Sequence, residues 1–270
     1  MPELPEVHTT IIGLSVILKQ KISKVEIHTK KLRFKIPLGI KIILSNSKIS
    51  NIRRIAKYII IDLDNSFSLI IHLGMSGRIK IKENNYIRSK HDHIILFFLN
   101  KNILVFNDPR KFGFLDLAQT KFIKSKKYIS NLGIDALNNK LTHNLMYEKI
   151  SKSSVPIKQI LLNQQIISGI GNIYASEILF DAKISPLAAG KDLNISLIVK
   201  LIRSIRRILN KAIKYGGSSI SDYRSTNGTL GNFQSVFKVY GKEGTKIKND
   251  QVIKIVQYGR STFYCPKIQK

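Results

Sequence analysis

The chain has 270 residues, 43% of them hydrophobic, with a mean hydropathy of -0.03. That length suffices for two domains with cores of their own, and no uninterrupted apolar run approaches the roughly 20 residues of a membrane span. A formal net charge of +28 favours a polyanionic partner bound in a salt-dependent way, although the Ile-, Lys- and Asn-rich composition accounts for part of the lysine excess. The single cysteine, Cys265, excludes an internal disulfide framework. With no basic-then-apolar signal at the start, a cytoplasmic location is expected.

The chain opens Met1-Pro2-Glu3-Leu4-Pro5-Glu6. Proline and acids at this point suit the first turn of a helix. Removal of Met1 would also leave Pro2 with a secondary amine. α-Amino groups titrate near about 8, so an unprotonated, nucleophilic fraction exists at neutral pH. Residues 5–20 then carry Val7, Ile11, Leu14 and Leu18 at helical spacing. From about 22 to 118 the pattern changes to short β-branched runs such as Tyr58–Ile61, Leu69–Ile71, Ile94–Phe98 and Ile103–Phe106. Asp64-Asn65-Ser66 and Asn100-Lys101-Asn102 separate neighbouring runs as hairpin turns do, which predicts an antiparallel two-layer sandwich.

Residues 120–155 are polar and basic and read as a linker with room for one short helix. From Pro156 the helical period returns, with Ile160, Leu161, Gln164 and Ile167 on one face. Gly169-Ile170-Gly171-Asn172 interrupts it, a turn able to aim backbone N–H groups and an amide at a phosphate. A longer helix is expected over 194–214, with Ile198, Leu201, Ile202, Ile205, Ile208, Leu209 and Ala212 as its apolar stripe and Gly216-Gly217 at its end. Arg203, Arg206, Arg207 and Lys211 lie on its other face, open to solvent or to phosphate.

Two loops have chemistry of their own. Asp108-Pro109-Arg110-Lys111-Phe112-Gly113 sets a cation two residues from an aromatic side chain, which suits insertion between bases beside a vacated pairing position. His72-Leu73-Gly74-Met75-Ser76-Gly77 is a tight loop presenting Met75.

These segments, with Arg54-Ile55-Ala56-Lys57-Tyr58 and Lys90-His91-Asp92-His93, resemble in their order the formamidopyrimidine-DNA glycosylase family, from residue 2 to about 266. The resemblance implies an α+β protein. A β-sandwich catalytic domain with flanking helices would span 1–130, a linker 131–155, a helix–two-turn–helix DNA-binding domain 156–233 and a β-hairpin of zinc-finger type 234–270. It implies a monomeric bifunctional glycosylase and AP lyase, acting on double-stranded DNA that contains oxidised purines or abasic sites.

Implied roles fall on particular positions. Pro2 attacks C1′ of the flipped nucleotide, Glu3 donates a proton, and Lys57 serves base recognition and β-elimination. Arg260 serves δ-elimination, while Glu6 and Glu177 support the site. Met75, Arg110 and Phe112 fill the space left by the base, offsetting an unstacking penalty of a few kcal/mol. His91, Arg110, Lys158 and Asn172 contact phosphates. The loop 216–223 closes over the lesion, with Ser218 offering a carbonyl and Tyr223 beside it.

The chain departs from the family pattern at its far end. The family carries two Cys-x-x-Cys pairs that hold one structural zinc. Here the first pair is missing from Lys246-Ile247-Lys248-Asn249-Asp250, and the second keeps only Cys265, with Ile268 in its partner's place. One thiolate cannot hold a structural Zn²⁺, so no cofactor is expected. An apolar cluster of Ile247, Val252, Ile253, Ile255, Phe263 and Tyr264 would replace it in a zincless hairpin. His8 stands where the family has Glu, and Ser154 stands where a lysine is expected, with Lys152 nearby. Two alternatives compete with this reading. An endonuclease VIII-like enzyme for oxidised pyrimidines is disfavoured by Leu4 and the Asp108–Gly113 loop. A silent DNA-binding homologue is disfavoured by the conjunction of Pro2, Glu3, Lys57 and Arg260.

Overall fold

A computed structural model describes residues 1–83, 85–219, 225–228 and 230–270. The chain divides into two compact units, Met1–Ser130 with Tyr215–Gln234, and Asn131–Lys214 with Ser235–Lys270.

The first unit begins with α1 (Leu4–Gly13), continued by one 3₁₀ turn, Leu14–Ile17. The helix stops short of residue 20, because Leu14 and Ile17 turn into the core and Lys19 takes a positive φ of 63°. Then follow β1 (Ile22–Ile27), α2 (Ile40–Leu44), β2 (Ile49–Ile55), β3 (Tyr58–Leu63), β4 (Phe67–His72), β5 (Arg78–Glu83), β6 (Asp92–Phe98), β7 (Asn102–Asn107), β8 (Phe114–Gln119) and α3 (Lys127–Ser130). One antiparallel sheet runs β1-β6-β7-β5 and the other β2-β3-β4-β8. Alternate side chains of both sheets enter one core: Ile94, Leu96, Leu104 and Phe106 from the first, and Ile59, Ile61, Leu69 and Ile71 from the second. The opposite face of β6 and β7 is also covered, with Ile95, Ile103 and Val105 packed under Tyr86. This is why Ile94–Phe98 reads as a continuous apolar run.

Tyr215–Gln234 group with this unit, whereas the resemblance implies that the helical domain runs to residue 233. Asn232 N–H donates to the Tyr215 carbonyl and Phe233 N–H to that of Gly217, while Ile81 N–H donates to the Thr226 carbonyl at 2.8 Å. No pattern of periodicity encodes such links.

The second unit contains β9 (Ile134–Asp135), α4 (His143–Ile150), α5 (Ile157–Leu162), β10 (Ile167–Ser168), α6 (Asn172–Ala182), α7 (Ile195–Lys214), β11 (Lys246–Ile247), β12 (Asp250–Gln251), β13 (Ile253–Gln257) and β14 (Arg260–Tyr264). The stretch 131–155 is therefore more than a linker: β9 pairs in parallel with β10, and α4 packs on α7. The expected stripe of α7 is buried throughout. On its other face Arg206 donates to the Leu141 carbonyl and Arg207 pairs with Asp181, so these two cations fasten the helix within its unit. Among the described residues no helix is long and apolar enough to cross a membrane.

Phe106 is fully buried in the sandwich core. Phe106→Ala is expected to destabilise the first unit by about 3–5 kcal/mol, read as a lower urea midpoint at unchanged slope.

Candidate active site

Pro2, Glu3 and Glu6 are all buried at the start of α1. Glu3 and Glu6 form a capping box, in which Glu3 N–H donates to Glu6 Oε2 at 2.8 Å. The other carboxylate oxygen of Glu6 accepts from Ser218 N–H at 2.8 Å and from Ser218 Oγ at 3.1 Å. Gly217, at a φ of +78°, lies flat against this side chain, and a Cβ there would stand 3.0 Å from Glu6 Oε1. The structure thus joins the N-terminal residues to Ser218. Tyr223, the other residue expected in the lesion loop, lies outside the described residues.

Lys57 sits in the two-residue turn between β2 and β3, where Ala56 has a φ of +50°, and it is only 6% exposed. Its charge acts on His72, whose pKa is lowered to about 4, first by burial, then by Lys57 and Arg33. Tyr58 and Phe114 pack on the His72 ring, with centroids 5.0 and 5.4 Å away. Neutral His72 accepts Gly74 N–H at Nδ1, at 3.1 Å, and so shapes the start of the Met75 loop.

That loop is fitted to the Asp108–Gly113 loop. A Cβ on Gly74 would lie 2.3 Å from the Phe112 carbonyl carbon, so only glycine allows the approach, and its φ is +62°. Asp108 ties the two loops together. Its Oδ1 accepts from Ser76 Oγ at 2.5 Å and its Oδ2 from Gly113 N–H at 2.7 Å, while Arg110 N–H donates to Ser76 Oγ. On this scaffold Met75 and Phe112 remain 41% and 44% exposed, and the Arg110 guanidinium stands 4.9 Å from the Phe112 ring centre. His91 is joined to the same assembly through its carbonyl, which accepts Asp108 N–H. Beside it, buried Asp92 accepts from Lys80, Tyr86, Ser89 and Asn107. Burial alone would raise the Asp92 pKa, but these donors hold it well below the carboxylate range.

In the second unit, Lys158 is completely enclosed. Its Nζ donates to the Ser261 carbonyl at 3.0 Å and to Thr262 Oγ1 at 2.6 Å. Asn172, the first residue of α6, donates its Nδ2 to the same carbonyl at 2.9 Å. Two of the four residues expected on phosphate, Lys158 and Asn172, therefore meet on the β13–β14 hairpin. Gln164 builds the turn before α6 by donating to the Leu162 and Ile170 carbonyls and accepting Gly169 N–H, which ends α5 earlier than its periodicity implies. Glu177, expected to support catalysis, uses both oxygens on the N–H groups of Lys238, Val239 and Tyr240, a structural anchorage. Burial raises its pKa, against the pull of those amides and of Lys242. Arg260 projects, exposed, from a tight turn in which Tyr258 and Gly259 both have positive φ.

The hairpin does not fit a structural zinc ion, which needs four ligands. Among the described residues no group of three or more His, Cys, Asp or Glu side chains could hold a metal. Cys265 is buried with Val239, Val252 and Phe263. Its thiol is pushed up to about 11, by burial first and by Asp250 second. The apolar cluster differs from the expected one: Val239 and Cys265 enter it, while Ile253 and Ile255 remain half-buried outside it. Sequence reasoning assigned no role to His72, Asp108, Gln164 or Asp250. Only the position of Asp108 before a proline, a turn signal, hinted at one.

The chain is similar to known proteins over its whole length. A family model described as the formamidopyrimidine-DNA glycosylase N-terminal domain matches residues 1–115, and one described as the H2TH domain of the same enzyme matches residues 132–224. The chain is 46% identical to a formamidopyrimidine-DNA glycosylase of Zymomonas mobilis and 40% identical to one of Rickettsia bellii, with complete coverage of both chains in each case. Among solved structures, a Lactococcus lactis FPG variant bound to Fapy-dG-containing DNA matches with a TM-score of 0.92 at 36% identity, and the Lactococcus lactis Fpg bound to abasic-site DNA with 0.91 at 35%, both over the full length of each chain. The chain belongs to the formamidopyrimidine-DNA glycosylase family.

Proposed function

We propose that this chain is a base-excision repair enzyme, a bifunctional DNA glycosylase and AP lyase that removes oxidised purines such as 8-oxoguanine and formamidopyrimidines. The observation that carries the proposal is Pro2 buried just ahead of α1, next in sequence to Glu3, whose N–H is held by the Glu6 carboxylate. Activity requires loss of Met1, which turns the Pro2 amide nitrogen into a secondary amine. That nitrogen bonds to C1′ as the glycosidic C–N bond breaks and the base leaves with a proton; the C1′–O4′ bond then opens as O4′ is protonated, and the nitrogen lone pair forms the iminium with C1′. Glu3 is the proton donor at the sugar. The Lys57 ammonium favours developing negative charge and serves β-elimination of the 3′ phosphate. Arg260 serves δ-elimination of the 5′ phosphate, leaving a one-nucleotide gap with phosphates at both ends.

The exposed trio of Met75, Arg110 and Phe112 supports extrusion of the damaged nucleotide, since their loops are rigidly joined while their side chains stay free to enter a duplex. His91, Arg110, Lys158 and Asn172 are assigned to phosphates. For the latter pair this means leaving or sharing the Ser261 carbonyl when DNA arrives. The purine-lesion assignment rests on Leu4 and the Asp108–Gly113 loop.

Incubation with an 8-oxoguanine:C duplex and borohydride is expected to give a covalent adduct that Pro2→Gly reduces strongly and N-terminal acetylation abolishes. Strand cleavage by fully acetylated protein would refute the nucleophile. Asp108→Ala removes the acceptor for Ser76 Oγ and Gly113 N–H. It should lower kcat/KM on the lesion duplex by about tenfold or more, at a cost of about 1–3 kcal/mol in stability.

His72 supplies a pH signature. Its folded pKa of about 4 lies below the ordinary 6.5, so the unfolded chain binds the extra proton between those values. Its contribution is whole above about pH 6.5 and is lost as the pH falls through 4, by at most about 3 kcal/mol. Urea titrations at pH 7.5 and 4.5 should show a smaller pH effect in His72→Gln than in the unmodified chain. Equal effects would remove His72 from the account.

A further inference from the structure

The C-terminal hairpin keeps its shape without the ligands of a metal, and the source of its closure lies in the described hydrogen bonds. Cys265-Pro266-Lys267-Ile268, the remnant of the second cysteine pair, still forms a turn with Ile268 N–H on the Cys265 carbonyl. Successive backbone N–H groups in such a turn form a concavity that suits an anion. The N–H groups of Lys267 and Ile268 point instead to one side-chain oxygen, Asp250 Oδ2, at 2.7 and 3.0 Å. The other oxygen of Asp250 accepts Gln251 N–H at 2.8 Å, and the residue is 8% exposed.

We propose that the Asp250 carboxylate takes the closing role of the metal in this chain. It clasps the base of the β13–β14 hairpin and thereby positions Arg260 at its tip. The topology gives the clasp its leverage. Asp250 ends the β11–β12 turn just before β13, and Lys267 and Ile268 follow just after β14, so a single carboxylate joins the two ends of the hairpin. Gln269 adds a second fastening: it is 2% exposed, its Oε1 accepts Cys265 N–H and its Nε2 donates to the Ile184 carbonyl. Nearer the tip, Thr262 Oγ1 donates to Gln257 Oε1 at 2.8 Å, and Gln257 Nε2 reaches the Pro186 carbonyl. Hydrogen bonds to an ionised acceptor are the strong ones in such a set, and Asp250 supplies them. The protonated Cys265 thiol, packed among apolar side chains, serves as filling and not as a ligand.

The clasp itself stands on geometry alone; its consequence for Arg260 rests on the lyase reading above. The test measures the two separately on the full-length chain. Hydrogen exchange followed by mass spectrometry should show peptides spanning 253–268 exchanging about tenfold faster or more in Asp250→Ala, with peptides of 1–130 unchanged. Asp250→Asn, which retains a carbonyl acceptor, should fall between. Exchange in the unmodified chain should not respond to EDTA or to added zinc. Unchanged protection of 253–268 in Asp250→Ala would overturn the clasp, as would one tightly held zinc per chain whose removal by EDTA releases that protection. On abasic-site DNA, Asp250→Ala should shift product from β,δ- towards β-elimination while borohydride trapping at Pro2 persists, and Asp250→Asn should partly restore the ratio. A ratio unchanged while the hairpin loosens would overturn the positioning of Arg260 and leave the glycosylase assignment intact.

Discussion

The bifurcated hold of Glu6 is the constraint on which the reactive end of the first unit depends. One oxygen accepts Glu3 N–H and sets the first turn of α1; the other accepts Ser218 from a segment 212 residues away in the chain. A buried carboxylate is tolerable only when its lone pairs are filled, and here Glu3 N–H, Ser218 N–H and Ser218 Oγ donate to them. The consequence is geometric. The residues around Pro2 cannot shift along the helix axis without also pulling on Ser218, and the absence of a side chain at Gly217 lets that segment lie this close.

Asp108 repeats the device at the wedge loops, where a single carboxylate fixes Ser76 on one side and Gly113 on the other. Rigidity in the scaffold serves mobility in the tips. Met75 and Phe112 stay exposed on two loops whose backbones meet at Gly74 and Phe112. Their exposed apolar surface is thus a stable feature of the fold, of the kind that marks an interaction surface.

The sandwich was legible because period-2 runs and polar turns are local signals, and β3, β4, β6 and β7 fall close to where those signals place them. The long helix was legible for the same reason. What local signals could not reveal was order created at a distance. Residues 131–155 look like a linker until β9 finds β10, and 215–234 look like part of the helical domain until Glu6 and Ile81 take hold of them. The site divides similarly. The residues assigned to chemistry could be located by their resemblance to a family motif, but Asp250 shows nothing in sequence beyond a charged residue in a turn, because its role depends on the register of two strand pairs.

Charge partition ties these observations to a polyanionic ligand. The chain has 17 acidic residues against 45 lysines and arginines. Glu3, Glu6, Asp62, Asp92, Asp108, Glu177 and Asp250 are all buried, whereas only Lys57 and Lys158 are buried among the cations of the described residues. Most of these acids accept backbone N–H groups, in hydrogen bonds that an ionised acceptor strengthens. Each such use removes a negative charge from the solvent-facing surface. The solvent-facing side chains are therefore more cationic than the composition alone implies, which suits a polyanionic ligand. Internal order and polyanion attraction thus have the same source, so substituting one of these carboxylates would weaken the fold locally without making the exposed surface any less basic.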